Sequence, residues 1–81
     1  MLEMKEKEFL LYIVKALVDE PDKVEINVVE GEKSTIFELS VAPSDIGKVI
    51  GKNGRIAKAI RTILNAAIAR SGKRISLDIL G

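Results

Sequence analysis

Two predicted helices meet at the segment Val49-Ile50-Gly51-Lys52-Asn53-Gly54. Glycines at both ends of the Gly51–Gly54 turn permit positive φ angles and let another backbone approach without meeting a Cβ atom. The N–H groups that begin the helix after this turn have no partner inside the helix, so they favour an anion. The segment therefore predicts a phosphate-binding turn held between two helices.

Basic residues surround this turn on both sides. Lys52 lies inside it, Lys48 precedes it, and Arg55, Lys58 and Arg61 follow it. Cations at the start of a helix oppose the helix dipole, so these residues do not serve helix stability. Their placement favours an anionic ligand. For the turn taken alone, a plain helix corner with solvated lysines remains the alternative.

Apolar residues beside the turn extend the predicted site. If the anionic ligand is a nucleic acid, four of them are expected to contact its bases: Ile46, Val49, Ile50 and Ile56. Asn53 is expected to expose its amide in the turn. A nucleotide-binding P-loop is excluded, because only three residues separate Gly47 from Gly51 and Asn53 follows Lys52.

Outward from the turn, the chain reads as α-β-β-α-α-β. Helical spacing and period-two alternation place the elements at about Glu3–Glu20, Val24–Val28, Thr35–Val41, Pro43–Gly51, Gly54–Gly72 and Ile75–Ile79. The first two strands should pair antiparallel, and the third can lie parallel to a neighbour after a helical crossover. The predicted fold is α+β, with a three-stranded mixed sheet that carries three helices on one face. Six residues suit its wet face: Glu25, Asn27, Glu38, Ser40, Ser76 and Asp78.

The length of 81 residues predicts one domain over 1–81, with an N-terminal helix and turn in 1–22 and the remaining elements in 23–81. The chain has no cysteine and no histidine, which removes the usual metal ligands, nucleophiles and general base. We therefore expect a protein that is not an enzyme, with no catalytic residues, metal, cofactor or small-molecule substrate. The charged N-terminus and short apolar runs predict a cytoplasmic protein with no membrane partner.

Charge is divided unevenly along the chain. Residues 1–46 hold five lysines and eleven carboxylates, and residues 47–81 hold eight cations and one carboxylate, so a net −6 and a net +7 combine to +1. A domain polarised in this way can offer a cationic surface to a polyanion despite a nearly neutral total. Two solvated faces of opposite sign are the alternative that charge alone leaves open.

The turn and the element order together resemble the KH (K-homology) domain in its type II form. The resemblance covers essentially the whole chain. The chain is similar to the small bacterial KhpA family in three segments: Val49–Gly54, Ala42-Pro43 and the run from Gly54 to Arg61. It implies a cytoplasmic protein that binds single-stranded RNA, about four nucleotides at a time. It also implies a role after transcription, RNA chaperone-like in kind, as a homodimer or a heterodimer with a second KH-containing protein.

Two features shape the expected binding. Ala57 stands where the general KH pattern has an isoleucine, and Phe9 and Phe37 fall at core-facing positions rather than at stacking positions. Without aromatic stacking, we expect modest affinity, weak sequence preference and strong salt dependence. The alternative function is a protein-interaction or dimerisation module with a KH fold, which the apolar surplus on the first helix would suit.

Overall fold

The computed structural model describes residues 2–67 and 74–80. Their helices and strands are α1 (Leu2–Leu17), β1 (Glu25–Glu30), β2 (Ser34–Ser40), α2 (Ile46–Ile50), α3 (Arg55–Ala67) and β3 (Arg74–Leu80). Single 3-10 turns lie at Pro21–Lys23, Pro43–Asp45 and Lys52–Gly54. The order α-β-β-α-α-β is confirmed.

The three strands form one mixed sheet in the order β1-β2-β3. β1 pairs antiparallel with β2, and β3 pairs parallel with β2, as the sequence predicts. The hairpin closes where the Gly31 N–H donates to the Ser34 carbonyl at 2.8 Å. Because β2 lies in the centre, β1 and β3 are both edge strands.

The helices pack on one face of the sheet and enclose the core. Its most deeply buried apolar residues come from all three helices and from β2 and β3: Leu10, Val14, Val49, Leu64, Phe37, Leu39 and Leu77. The six residues assigned to the wet face are exposed or half-buried. There the Asn27 side-chain amide donates to Glu38 Oε1 at 2.8 Å across the β1–β2 pair. The α+β fold with three helices on one face is thus confirmed.

The first helix ends earlier than predicted. We expected it to continue to Glu20, but it stops at Leu17, and its last hydrogen bond runs from the Val18 N–H to the Val14 carbonyl. The N–H groups of Asp19 and Glu20 do not continue the helix, because the carboxylate of Asp45 accepts both of them. The predicted end of α3 at Gly72 lies outside the described residues.

Two apolar residues lie on the surface: Phe9, which the sequence placed in the core, and Ile63 of α3. Phe9 is 42% exposed and Ile63 is 46% exposed. At 100° per residue, Ile63 falls about 90° from the inward direction shared by Ala57, Ile60 and Leu64, so a helical period alone did not resolve its position. Within residues 2–67 and 74–80, none of the helices combines the length and apolar character needed to cross a membrane.

Candidate nucleic-acid interface

Two backbone hydrogen bonds and three positive φ angles define the predicted turn. α2 ends where the Gly51 N–H donates to the Gly47 carbonyl at 2.9 Å, and the turn closes where the Gly54 N–H donates to the Gly51 carbonyl at 3.1 Å. Positive φ angles occur at Gly51 (77°), Asn53 (58°) and Gly54 (73°). Asparagine tolerates this left-handed conformation better than most side chains, so residue type and backbone agree at each position.

The two glycines meet different surroundings. A Cβ atom built on Gly51 would lie 2.6 Å from Ile56 Cγ1, whereas one built on Gly54 would meet nothing within 4 Å. Gly51 is therefore required by its backbone angle and by the packing of Ile56. Gly54 faces open space, which leaves room for another molecule to approach the backbone of the turn closely.

Three of the predicted cationic residues lie free on the surface around the turn. Lys52, Arg55 and Lys58 are all exposed, and none of them forms an ion pair with the residues that the structure describes. Asn53 is exposed beside them. No hydrogen bond among the described residues uses the N–H of Lys52 or Asn53. The turn thus combines exposed backbone donors with exposed positive side chains, which suits an anionic chain.

Lys48 is placed differently from the other lysines. Its Nζ lies 2.6 Å from Asp19 Oδ2 and 3.4 Å from Asp45 Oδ1. The hydrogen bond to Asp19 raises the pKa of Lys48 above its usual value, against a lowering by partial desolvation. This lysine joins the end of α1 to the start of α2, and its charge is already shared with two carboxylates.

Asp45 is the buried partner in this junction, with no exposed surface. Its carboxylate accepts the Asp19 N–H at 3.1 Å and the Glu20 N–H at 3.0 Å. Burial by itself raises the pKa of Asp45, but these two backbone donors and Lys48 outweigh it and hold the pKa below its usual value. The ionised carboxylate therefore fixes the position of the chain that enters α2 and the turn.

The four apolar residues assigned to base contact divide into two groups. Val49 is fully buried in the core, so the expectation that it contacts bases is wrong. Its side chain lies on the buried side of the short helix α2 and belongs to the hydrophobic core. Ile50 is 36% exposed, while Ile46 and Ile56 are half-buried. These three remain available beside the turn.

Arg61 reaches away from the turn towards the sheet. Its Nε and Nη2 donate to the Leu77 carbonyl at 3.3 and 3.0 Å. One helical turn later, Asn65 Nδ2 donates to the Ile75 carbonyl at 3.0 Å, and Oδ1 accepts the Ile75 N–H at 2.9 Å. α3 therefore attaches to the outer edge of β3 through two side chains.

Sequence reasoning missed the roles of Asp45 and Asn65. Asp45 follows Pro43 and precedes an apolar helix, which is the pattern of an N-cap. Its carboxylate nevertheless makes no capping bond and instead accepts the N–H groups of Asp19 and Glu20, which follow α1. Asn65 is a poor helix former within an alanine-rich helix, and this was the one available signal that its amide has a partner elsewhere.

Comparison with known proteins agrees with this architecture. The sequence model of the family described as "KhpA/KhpB, KH domain" matches residues 7–79. The chain is 57% identical over 75 residues to a protein of Borreliella burgdorferi named "RNA-binding protein KhpA", covering 93% of this chain and 92% of that one. It is 55% identical over 74 residues to a protein of the same name from Clostridium acetobutylicum, covering 91% and 99%.

A third relative, from Chlamydia pneumoniae, has the same name and is 55% identical over 74 residues, covering 91% of this chain and 95% of its own length. The family model spans the turn, both flanking helices and the sheet as far as Ile79. The chain therefore belongs to the KhpA/KhpB family of KH domains.

Proposed function

We propose that this protein binds single-stranded RNA along the Gly51–Gly54 turn and acts without catalysis. The observation that carries the proposal is the turn itself, where open space at Gly54 lies next to the exposed cations Lys52, Arg55 and Lys58. A polyanion satisfies both features, because it supplies negative charge and a backbone that needs close approach. The printed names of the three relatives, which are RNA-binding proteins, support the same ligand.

Each part of the turn has a distinct role in this proposal. The N–H groups of Lys52 and Asn53 and the nearby cations meet phosphates. Gly54 admits the sugar-phosphate backbone, and Ile50 and Ile56 offer apolar surface to bases. Because RNA is the ligand, we place the protein in the cytoplasm and its action after transcription.

The test is binding of a mixed-sequence single-stranded RNA by the natural protein and by a variant carrying Lys52→Asp and Asn53→Asp. Both residues are exposed, and aspartate tolerates the left-handed backbone at position 53, so the fold should persist. The natural protein should bind at low salt and lose affinity as salt rises, because each neutralised phosphate releases a counterion. The double variant should not bind.

A matched control keeps this result specific to the turn. Lys33 lies exposed at the β1–β2 hairpin and Lys15 lies exposed on α1, and a variant with Lys33→Asp and Lys15→Gln makes the same change of three charge units away from the turn. This control should bind nearly as the natural protein does. Full RNA affinity in the folded Lys52 and Asn53 variant would refute the proposed role of the turn.

A second candidate function is pairing with another KH-containing chain, as a homodimer or a heterodimer. The observation in its favour is an apolar groove between α1 and α3, lined in part by Phe9, Ile63, Ala66 and Ala67. Sedimentation at micromolar concentration tests self-association, with Ile63→Glu as the variant that should give monomers. A natural protein that sediments only as a monomer would contradict the homodimer.

A further inference from the structure

The cations around the turn differ in whether a carboxylate already holds them. Lys52, Arg55 and Lys58 form no ion pair with the residues that the structure describes. Lys48 Nζ, by contrast, lies 2.6 Å from Asp19 Oδ2, although 44% of the Lys48 side chain is open to solvent. Lys48 is thus a cation near the turn that solvent reaches and that the protein itself has neutralised.

Lys48 lies close enough to the turn to meet an RNA chain bound there. It precedes Gly51 by three residues, which is a rise of about 4.5 Å along a helix, and a flexible four-carbon stem carries its charge further. Ile50, which is exposed on the same short helix, is already assigned to base contact. An RNA chain that extends beyond the turn over α2 therefore passes within reach of the Lys48 ammonium group.

Two carboxylates hold Lys48, and they differ in what else they do. Asp45 is fully buried and accepts the N–H groups of Asp19 and Glu20, so its charge is needed where the chain enters α2. The Asp19 side chain is 77% exposed, and its contact with Lys48 is the only polar contact that its carboxylate makes among the described residues. The Asp19 carboxylate therefore acts on Lys48 and on little else.

A carboxylate and a phosphate compete for the same ammonium group, because both are anionic acceptors of a charge-assisted hydrogen bond. A phosphate that takes Lys48 must first break its contact with Asp19. The released carboxylate would then lie beside the negatively charged RNA chain, and like charges at short distance repel. Both effects oppose the transfer of Lys48 from Asp19 to RNA.

We propose that Asp19 is a positioning residue that withholds Lys48 from RNA and so limits the number of phosphates that the domain neutralises. The inference rests on RNA binding at the turn and adds how that site is held to a modest affinity. Removal of the Asp19 charge should strengthen RNA binding, because Lys48 then becomes available to a phosphate next to the turn.

The experiment measures the affinity of a mixed-sequence single-stranded RNA of about ten nucleotides, which extends beyond the four that a KH turn holds. Fluorescence anisotropy is recorded at several salt concentrations for the natural protein, Asp19→Asn and Asp22→Asn. Asp22 is exposed in the turn Pro21–Lys23 and forms no ion pair with a described residue, so it offers the same charge change without the release of a lysine. Asp19→Asn should bind about twofold to fivefold more tightly than Asp22→Asn, which is the range that one exposed ion pair covers.

The salt dependence separates a new phosphate contact from a general change of charge. Each phosphate neutralised on a single strand adds about 0.7 to the steepness of the plot of log affinity against log salt concentration. Asp19→Asn should therefore steepen this plot by about 0.7, whereas Asp22→Asn should leave it as in the natural protein. Addition of Lys48→Met to Asp19→Asn should remove both the tighter binding and the extra steepness. Asp19→Glu, which keeps the carboxylate, should resemble the natural protein.

The outcomes distinguish this inference from the proposed function. If the folded natural protein and both aspartate variants bind no RNA at low salt, the proposed function fails and this inference fails with it. If the natural protein binds RNA but Asp19→Asn matches Asp22→Asn in affinity and in salt dependence, the role of Asp19 is overturned while RNA binding stands. The same holds if Lys48→Met leaves the gain of Asp19→Asn in place. A gain that appears only in Asp19→Asn and disappears with Lys48→Met supports the inference.

Discussion

Replacing each glycine of the turn by alanine should produce two different defects. At Gly51 the backbone has φ 77° and ψ 172°, a region that only glycine occupies easily, so a side chain there costs about 1–3 kcal/mol. The new Cβ would also lie 2.6 Å from Ile56 Cγ1 and 2.9 Å from Ile56 Cδ1. Overpacking of this kind adds about 1–3 kcal/mol. Gly51→Ala should therefore lower the free energy of unfolding by about 2–6 kcal/mol.

Gly54→Ala has only the left-handed backbone to accommodate, because nothing lies within 4 Å of the new atom. That conformation costs about 1–2 kcal/mol, and the stiffer unfolded chain returns about 0.4–1 kcal/mol. Its loss of stability should be about 1 kcal/mol. Its effect on RNA should be larger, because the new methyl group enters the space assigned to the sugar-phosphate backbone.

Urea unfolding followed by circular dichroism measures the first effect, and RNA binding below the unfolding transition measures the second. The free energy of unfolding of a domain of this size is about 4–12 kcal/mol, so Gly51→Ala removes a large part of it. Placing Gly51→Ala in an Ile56→Ala background should recover part of the loss through relief of the contact. Equal losses of stability in the two single glycine variants would refute this reasoning.

Three further results are expected. Asp45→Asn should destabilise the protein most at neutral pH. The pKa of Asp45 in the folded protein lies below its usual 3.8, so its contribution to the free energy of unfolding is present above pH 3.8 and is lost as the pH falls through the lower value. The urea midpoints of the natural protein and the variant should therefore converge in acid. Lys48→Met should lower the thermal midpoint yet change RNA affinity less than Lys58→Met does, since the charge of Lys48 is shared with two carboxylates; the reverse order in an anisotropy titration would contradict this. Val49→Ala should cost about 2 kcal/mol in urea unfolding and little RNA affinity, whereas Ile50→Ala should show the opposite balance.

Much of the fold follows from short-range patterns in the sequence. Strict alternation in Thr35, Phe37 and Leu39 predicts the buried face of β2, and the structure confirms it. The Gly51–Gly54 turn was predictable because glycine and asparagine at those positions accommodate the positive φ angles that the structure shows. These features depend on neighbours within a few residues, and the sequence displays such neighbours directly.

The features that sequence reasoning missed depend on contacts between distant segments. Asp45 binds N–H groups 25 and 26 residues away, and Asn65 binds a strand 10 residues later. Phe9 has helical spacing compatible with the core, yet it lines the groove between α1 and α3 and is 42% exposed. Val49 was assigned to the surface because it adjoins the turn, whereas a five-residue helix turns it fully inwards.

The central claim is that RNA lies along the Gly51–Gly54 turn, and an amide-resolved NMR titration with a short single-stranded RNA tests it most directly. The largest early shifts should occur at Lys52, Asn53 and Gly54, with smaller shifts along α3, and the wet face of the sheet around Asn27 and Glu38 should change little. Saturable shifts confined to the wet face, with the turn unmoved, would contradict the account.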